Sequence, residues 1–265
     1  MKSNRDFWLR SFQEGNLSNW PCPNCHSGIL KPVNKSFHYW ESSASHEAGK
    51  SYFIASQVKF DDTAILGMEF AKYRYSILLK CSTCNECVSS CGSGEAIEDY
   101  YPDSHDTVLL NYFTPEYFYP ALNIFYIHSK CPRAVKEQIV SSFKLFFADP
   151  PAAANYVRKA VDAILTNKKI KRYITNKNKR RVSLSLHDRI VAFEKINFDV
   201  AQKLFAIKWL GNEGSHAEKI TKNDVLDAYE ILELIIDDLY VGYKKSIERK
   251  ILKINKTKKP LHPKA

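Results

Sequence analysis

Two kinds of hydrophobic periodicity divide the chain near residue 130. Before it, apolar and aromatic residues come in short runs. From Ser51 to Lys80 the segments SYFIASQVKF and FAKYRYSILLK show broken alternation, which predicts two or three strands. Gly92-Ser93-Gly94 predicts a turn. Over residues 98–130, Pro102, Pro115 and Pro120 interrupt many Tyr and Phe residues, so an extended connector is expected there rather than a helix. Its rings, among them Tyr112, Phe113, Tyr117, Phe118 and Tyr119, suit either a strap buried on an apolar surface or stacking on bases.

After Pro132 the period becomes helical. Val135, Ile139, Phe143 and Phe146 share one face of a helix over residues 132–147. Asp149 is a cap for a second helix over 150–166, with Tyr156, Val157, Ala160, Val161, Ile164 and Leu165 inward. Ser185 with Asp188, and Thr221 with Asp224, have capping-box spacing and open two further helices. Between those two, a helix from about Asp199 ends at Gly211, a natural C-cap. The last helix carries Val225, Tyr229, Leu232, Ile236, Leu239 and Tyr243. The expected class is α+β, a β module followed by a four- or five-helix bundle.

Composition adds a soluble globular chain of 265 residues, 45% hydrophobic, with no apolar run of membrane-span length. The net charge of +10 is local. Residues 168–181 hold eight basic residues and no acid, namely Lys168, Lys169, Lys171, Arg172, Lys177, Lys179, Arg180 and Arg181. Residues 244–265 hold nine basic residues and Glu248. Outside these two strips 22 basic residues face 28 acidic ones, so the body is acidic. Either strip suits a phosphate backbone, RNA or DNA, with salt-dependent affinity. A solvated loop and a frayed tail are the plainer reading.

Six of the seven cysteines fall in two clusters, a spacing that suits metal binding in a reducing, cytoplasmic setting better than disulfides. Cys22-x2-Cys25 and Cys81-x2-Cys84 are two knuckles, and paired knuckles make a zinc ribbon. Cys84 with Cys87 is a third such pair and Cys91 is close, so Cys87 and Cys91 are alternates for the second pair. Tyr75–Lys80 reads as a strand that delivers Cys81 and Cys84 directly, which favours them. Four thiolates leave no open position for water, so the zinc is expected to be structural. Cys131 is expected in the core.

The sharpest motif is Lys208-Trp-Leu-Gly-Asn-Glu-Gly-Ser-His216. With the CPxC knuckle, the Pro-rich segment and the pattern AAxxxRKAVDxIL around Arg158, the chain resembles the domain of unknown function 4145 family, grouped with the HEPN superfamily. The resemblance is close over residues 131–243 and looser over the ribbon. It implies a HEPN-like helical bundle, often dimeric and common in restriction and phage-defence neighbourhoods. Active HEPN members are metal-independent RNases that pair an Arg and a His across a dimer. By that resemblance His216 takes the histidine position and Asn212 the polar position beside it. The arginine does not carry over, since the matching place holds Lys208. His216 suits base chemistry near neutral pH, and Lys208 or Arg158 would supply charge near a phosphate.

The expected organisation is a zinc-ribbon-like β module (1–97), an aromatic connector (98–131), a HEPN-like helical domain (132–243) and a basic C-terminal tail (244–265). Two functions stand open. One is a nucleic-acid-associated accessory or effector of a prokaryotic defence system, with His216, Asn212, Lys208 and Arg158 as its RNA-cleaving group if it is an enzyme. The other is a non-catalytic module that dimerises or joins the subunits of a complex, away from membranes, with zinc purely structural.

Overall fold

The computed structural model describes residues 5–56, 71–101, 106–175, 177–210 and 220–261. The chain forms two compact units, Lys2–Ile124 and Phe125–Ala265.

Among the described residues the first unit is an antiparallel sheet with two helices, α1 (Asp6–Leu9) and α2 (Ser43–Ser56). Its strands are β1 (Leu30–Pro32), β2 (His38–Glu41), β3 (Lys72–Cys81), β4 (Cys87–Tyr101) and β5 (Asp106–Tyr119), in the order β1-β3-β4-β5. β2 also pairs with β3, further along the edge that β1 occupies. Alternation on β3 decides which face is buried: Tyr75, Ile77, Leu79 and Cys81 point inward, and Arg74, Ser76, Leu78 and Lys80 outward. Phe12, Phe37, Tyr75 and Phe113 pack on the inner face with ring centroids 5.0–6.1 Å apart. Phe12 and Phe113 exchange backbone hydrogen bonds of 2.9 and 2.7 Å, so the N-terminal segment lies beside β5 and curls the sheet over this core.

Three sequence expectations change here. Ser51–Ser56 is the end of α2 rather than a strand. Gly92-Ser93-Gly94 lies inside β4, where the register shifts between Cys91 and Gly92. A Cβ at Gly92 would collide with the Thr114 carbonyl oxygen, so glycine is required by the close approach of β5. The aromatic segment is also no connector, because residues 106–119 pair along β4 as a full strand. Pro115 is tolerated there because β5 is an edge strand and Pro115 faces the bulge at Gly92. Phe113 and Phe118 are buried by the sheet, whereas Tyr117 and Tyr119 are exposed.

The second unit contains α3 (Arg133–Leu145), α4 (Pro150–Asn167), a two-stranded ribbon of β6 (Tyr173–Thr175) and β7 (Arg181–Ser183), α5 (Leu186–Glu194), α6 (Phe198–Leu210), α7 (Lys222–Ile236) and α8 (Tyr243–Thr257). The helix starts follow the caps. Asp149 accepts from the Ala152 amide at 2.9 Å, and both capping boxes form. The helix stop expected at Gly211 lies outside the described residues. α4 packs against α3, α5, α6 and α7, and its inward residues Val157, Ala160, Val161, Ile164 and Leu165 are fully buried. Cys131 is buried, as expected. The last helix does not run on to Tyr243. A π turn at Asp237–Val241 follows α7, Gly242 turns the chain at φ 72°, and α8 begins anew. The basic tail is therefore helical as far as Thr257.

One polar link crosses this core. Ser142 Oγ lies 2.7 Å from both the Ala153 carbonyl and the Tyr229 hydroxyl. The carbonyl can only accept, so Ser142 donates to it and Tyr229 donates to Ser142. Burial pushes the Tyr229 phenol upward, which keeps that proton in place. Tyr229→Phe removes one bond and strands no donor, so a loss of about 1 kcal/mol is expected by urea denaturation. A loss above about 3 kcal/mol would show that the link has been misread.

Candidate metal centre and basic ribbon

The two cysteine knuckles have the same backbone path. In Cys22-Pro23-Asn24-Cys25-His26 and Cys81-Ser82-Thr83-Cys84-Asn85 the fifth residue is left-handed, at φ 59° and 61°. The amide of each fifth residue donates to the carbonyl of the first, at 3.2 and 3.3 Å. The third residue's amide donates to the first sulfur, 3.4 Å for Asn24 to Cys22 and 3.3 Å for Thr83 to Cys81. Gly28 and Cys84 add amide donors to Cys25 and Cys81. β1 brings the knuckles together by pairing with the end of β3, Leu30 opposite Cys81. A Cβ at Gly28 would collide with the Cys81 sulfur, so this position has room only for glycine.

The four sulfurs lie within 4.8 Å of one another, with Cys22–Cys84 and Cys25–Cys81 at 3.6 Å. Among the described residues this is the one His/Cys/Asp/Glu group able to hold a metal ion. Cys87 and Cys91 stand outside it on β4, exposed, because β4 leaves the knuckle as a pleated strand. Burial pushes the Cys22 thiol up to about 12, whereas hydrogen bonds from Ser27 and the Gly28 amide pull Cys25 down to about 5. Amide donors also lower Cys81. Such a site holds thiolate in part before a cation arrives.

The basic run 168–181 becomes the β6–β7 ribbon and its flanks. Residues 171–175 and 177–183 are all exposed, so the ribbon projects with both faces in solvent. Tyr173 pairs with Ser183 and Thr175 with Arg181, and the Arg181 guanidinium lies 4.0 Å from the Tyr173 ring centroid. Two of its eight cations are committed to the bundle. Lys168 donates to the Leu239 carbonyl at 3.3 Å, over the Tyr240 ring, and burial lowers its pKa. Arg172 donates to Asp162 at 2.6 Å and to Thr166 at 3.1 Å. Lys169, Lys171, Lys177, Lys179, Arg180 and Arg181 point outward.

The base of the ribbon is held by Arg189, which the sequence reading passed over. It is only 1% exposed, and its five N–H groups all have acceptors. Nε donates to the Lys171 carbonyl, Nη1 to the Asp162 carbonyl and carboxylate, and Nη2 to Thr166 Oγ1 and the Ile170 carbonyl. Its signal in the sequence is position. Arg189 lies four residues before Phe193 and three after Leu186, on the apolar side of α5.

Of the remaining expected site residues, Asn212 and His216 lie outside the described residues. Lys208 is half-buried near the end of α6, its ammonium 3.7 Å from the Trp209 ring centroid. Arg158 is half-buried on α4, which packs against α6.

Residues 140–257 match a family described as a domain of unknown function (DUF4145). Over these residues the helical unit is similar to that family. Residues 10–118 match a second family of unknown function, DUF8608. The segment similar to DUF8608 includes both knuckles and most of the sheet, and the segment similar to DUF4145 includes the ribbon and α8. No curated protein and no solved structure matches the chain. Among the described residues no helix is long and apolar enough to cross a membrane.

Proposed function

We propose that this protein is a nucleic-acid-associated accessory or effector of a prokaryotic defence system, which contacts RNA or DNA phosphates through the β6–β7 ribbon. The observation that carries the reading is the ribbon itself. Four outward cations, Lys177, Lys179, Arg180 and Arg181, sit on a protruding two-stranded element, Lys169 and Lys171 flank it, and none of its described residues is buried. A two-stranded β-ribbon has the width to enter a nucleic-acid groove, and its cations supply the salt-dependent part of binding. The defence setting and a HEPN-like bundle rest on the resemblance of the helical domain. In the enzymatic version His216, Asn212, Lys208 and Arg158 cleave RNA without metal. In the four-cysteine centre we assign Zn²⁺. Zn–S bonds of about 2.3 Å put tetrahedral sulfurs about 3.8 Å apart, close to the observed spacing, and four thiolates make the ion structural.

The test is binding of labelled RNA and duplex DNA at about 50 mM salt. Reversing Lys177, Lys179, Arg180 and Arg181 to Glu is expected to weaken binding at least tenfold and to lower the slope of log K against log salt by roughly 3–4. An unchanged slope would remove the ribbon from the interface. Cleavage is tested with total RNA in EDTA, where His216→Ala should abolish it.

A second reading has its own observation. Ile196, Phe198 and Trp209 are 69%, 62% and 58% exposed along α5–α6, which suits a non-catalytic dimerisation or assembly module. Sedimentation velocity with Phe198→Ser/Trp209→Ser separates it, because only an assembly surface would lose mass.

A further inference from the structure

The outward face of the β-sheet carries exposed rings at register positions. Residues opposite one another on paired antiparallel strands point to the same side, so the register lays out its rows. His38 on β2, Ser76 on β3, Cys91 on β4 and Tyr117 on β5 form one row. Trp40, Arg74, Ser93 and Thr114 form the next. Tyr119 stands two residues from Tyr117 on β5, and Trp40 two from His38 on β2, so each outer strand offers a pair of rings about 6.8 Å apart along the chain. Trp40 is 61% exposed and Tyr119 83%, although both belong to regular strands. The His38 and Trp40 rings are tilted by only 30°, with centroids 5.9 Å apart.

Between the two ring-bearing strands the floor is low. Ser76, Ser89 and Cys91 line an open hollow of about 350 Å³ with Tyr117 and Tyr119 at its wall. A second hollow of about 540 Å³, lined by Arg74, Ser93 and Thr114, continues along the same face toward the start of α2, where Glu95 also lines it but is paired with Lys72. Arg74 and Lys80 are exposed on this face, and neither ring row contains a carboxylate.

We infer that this face binds single-stranded nucleic acid, its bases stacked on Trp40, Tyr117 and Tyr119 and its phosphates drawn to Arg74 and Lys80. Charge complementarity and the rings argue together. A lipid surface would need a continuous apolar floor, and here Leu78 is a single exposed aliphatic side chain set among Ser76, Ser89 and Cys91. A sugar would need carboxylates or amides in the ring rows, and they hold none. Unpaired bases supply the two chemistries the face offers, flat π surfaces and a negative backbone. The inference deepens the nucleic-acid reading by naming single strands, but it does not depend on the β6–β7 ribbon.

The experiment uses the full chain with a 12-residue oligo(dT) and oligo(U). Trp8 and Trp20 are buried while Trp40 and Trp209 are exposed, so a Trp209→Phe background leaves Trp40 as the accessible reporter. Either oligonucleotide is expected to quench its fluorescence. Trp40→Ala/Tyr119→Ala is expected to weaken binding, read by anisotropy of the labelled oligonucleotide, by about tenfold or more, at unchanged circular dichroism and metal content. The glutamate-reversed ribbon variant should still quench, which separates this surface from the ribbon: quenching by the oligonucleotides kept there while duplex DNA binding is lost supports the sheet face alone. Absence of binding, binding insensitive to the ring substitutions, or a dimer that the ring substitutions dissociate without any oligonucleotide binding would each overturn the assignment.

Discussion

Removal of the metal is expected to unfold the first unit at least in its knuckle end, and no other single change there should cost as much. The ion would tie residues 22–25 to residues 81–84, segments otherwise joined by three register pairs of β1 with β3 and a few loop hydrogen bonds. Without it, Cys22 and Cys81 leave two thiols in a buried site whose amides point at sulfur. Structural zinc in small domains contributes on the order of 10 kcal/mol of apparent folding energy at pH 7. The ring contacts among Phe12, Phe37, Tyr75 and Phe113 need no metal, so part of the sheet should survive and the measured loss should be smaller. The sign with pH follows from the ligand chemistry. Protons compete with the cation for thiolate, so affinity falls as pH falls and binding releases protons. The measurements are metal content by mass spectrometry and thermal unfolding with and without chelator, between pH 5.5 and 8. Cys22→Ser or Cys84→Ser should lose the ion, whereas Cys87→Ser and Cys91→Ser should keep about one per chain. Less than about half an ion per native chain would end the assignment.

That contrast between Cys84 and Cys87 shows what the sequence could convey. Knuckle spacing marked the cysteines that cluster, and the strand before Cys81 favoured the pair found in the cluster, but only the left-handed turn at Asn85 separates Cys84 from the strand that carries Cys87 away. The helical unit was the most legible part, because caps and a 3.6-residue period are local: Asp149, Ser185 and Thr221 open their helices where expected. The aromatic segment was misread for an equally local reason. Pro115 and the glycines at 92 and 94 looked like breaks, and their compatibility with a strand depends on a bulge and an edge position that arise only once β4 and β5 pair. The basic run was visible as charge, but its division into bundle-bound Lys168 and Arg172 and an outward remainder depends on contacts with Leu239 and Asp162. The GNEGSH motif remains the strongest sequence signal for chemistry, and its Asn212 and His216 fall outside the described residues.

Arg189→Met is expected to be the most damaging single substitution in the helical unit. The guanidinium is buried, and it satisfies the carbonyls of Asp162, Ile170 and Lys171 together with the Asp162 carboxylate. Methionine fills similar space but donates nothing, so three carbonyls lose a donor at once. Removing one member of a buried pair typically costs about 3–5 kcal/mol. Arg172 remains on Asp162, and that carboxylate is partly exposed, which places the expected loss near the lower end. A domain stable by about 5–15 kcal/mol would survive with a lower denaturation midpoint. The loss should also be local. Leu184 donates to the Arg172 carbonyl at 2.8 Å across the foot of the ribbon, and an isolated two-stranded hairpin is marginal in water. Amides of residues 173–184 should therefore exchange faster in Arg189→Met by more than those on the buried face of α4, which quicken only as far as the lower global stability dictates. Arg189→Lys keeps the charge with three donors instead of five and should fall between the two. If ribbon exchange is unchanged in Arg189→Met while global stability drops, Arg189 is a core residue of the bundle and does not anchor the ribbon.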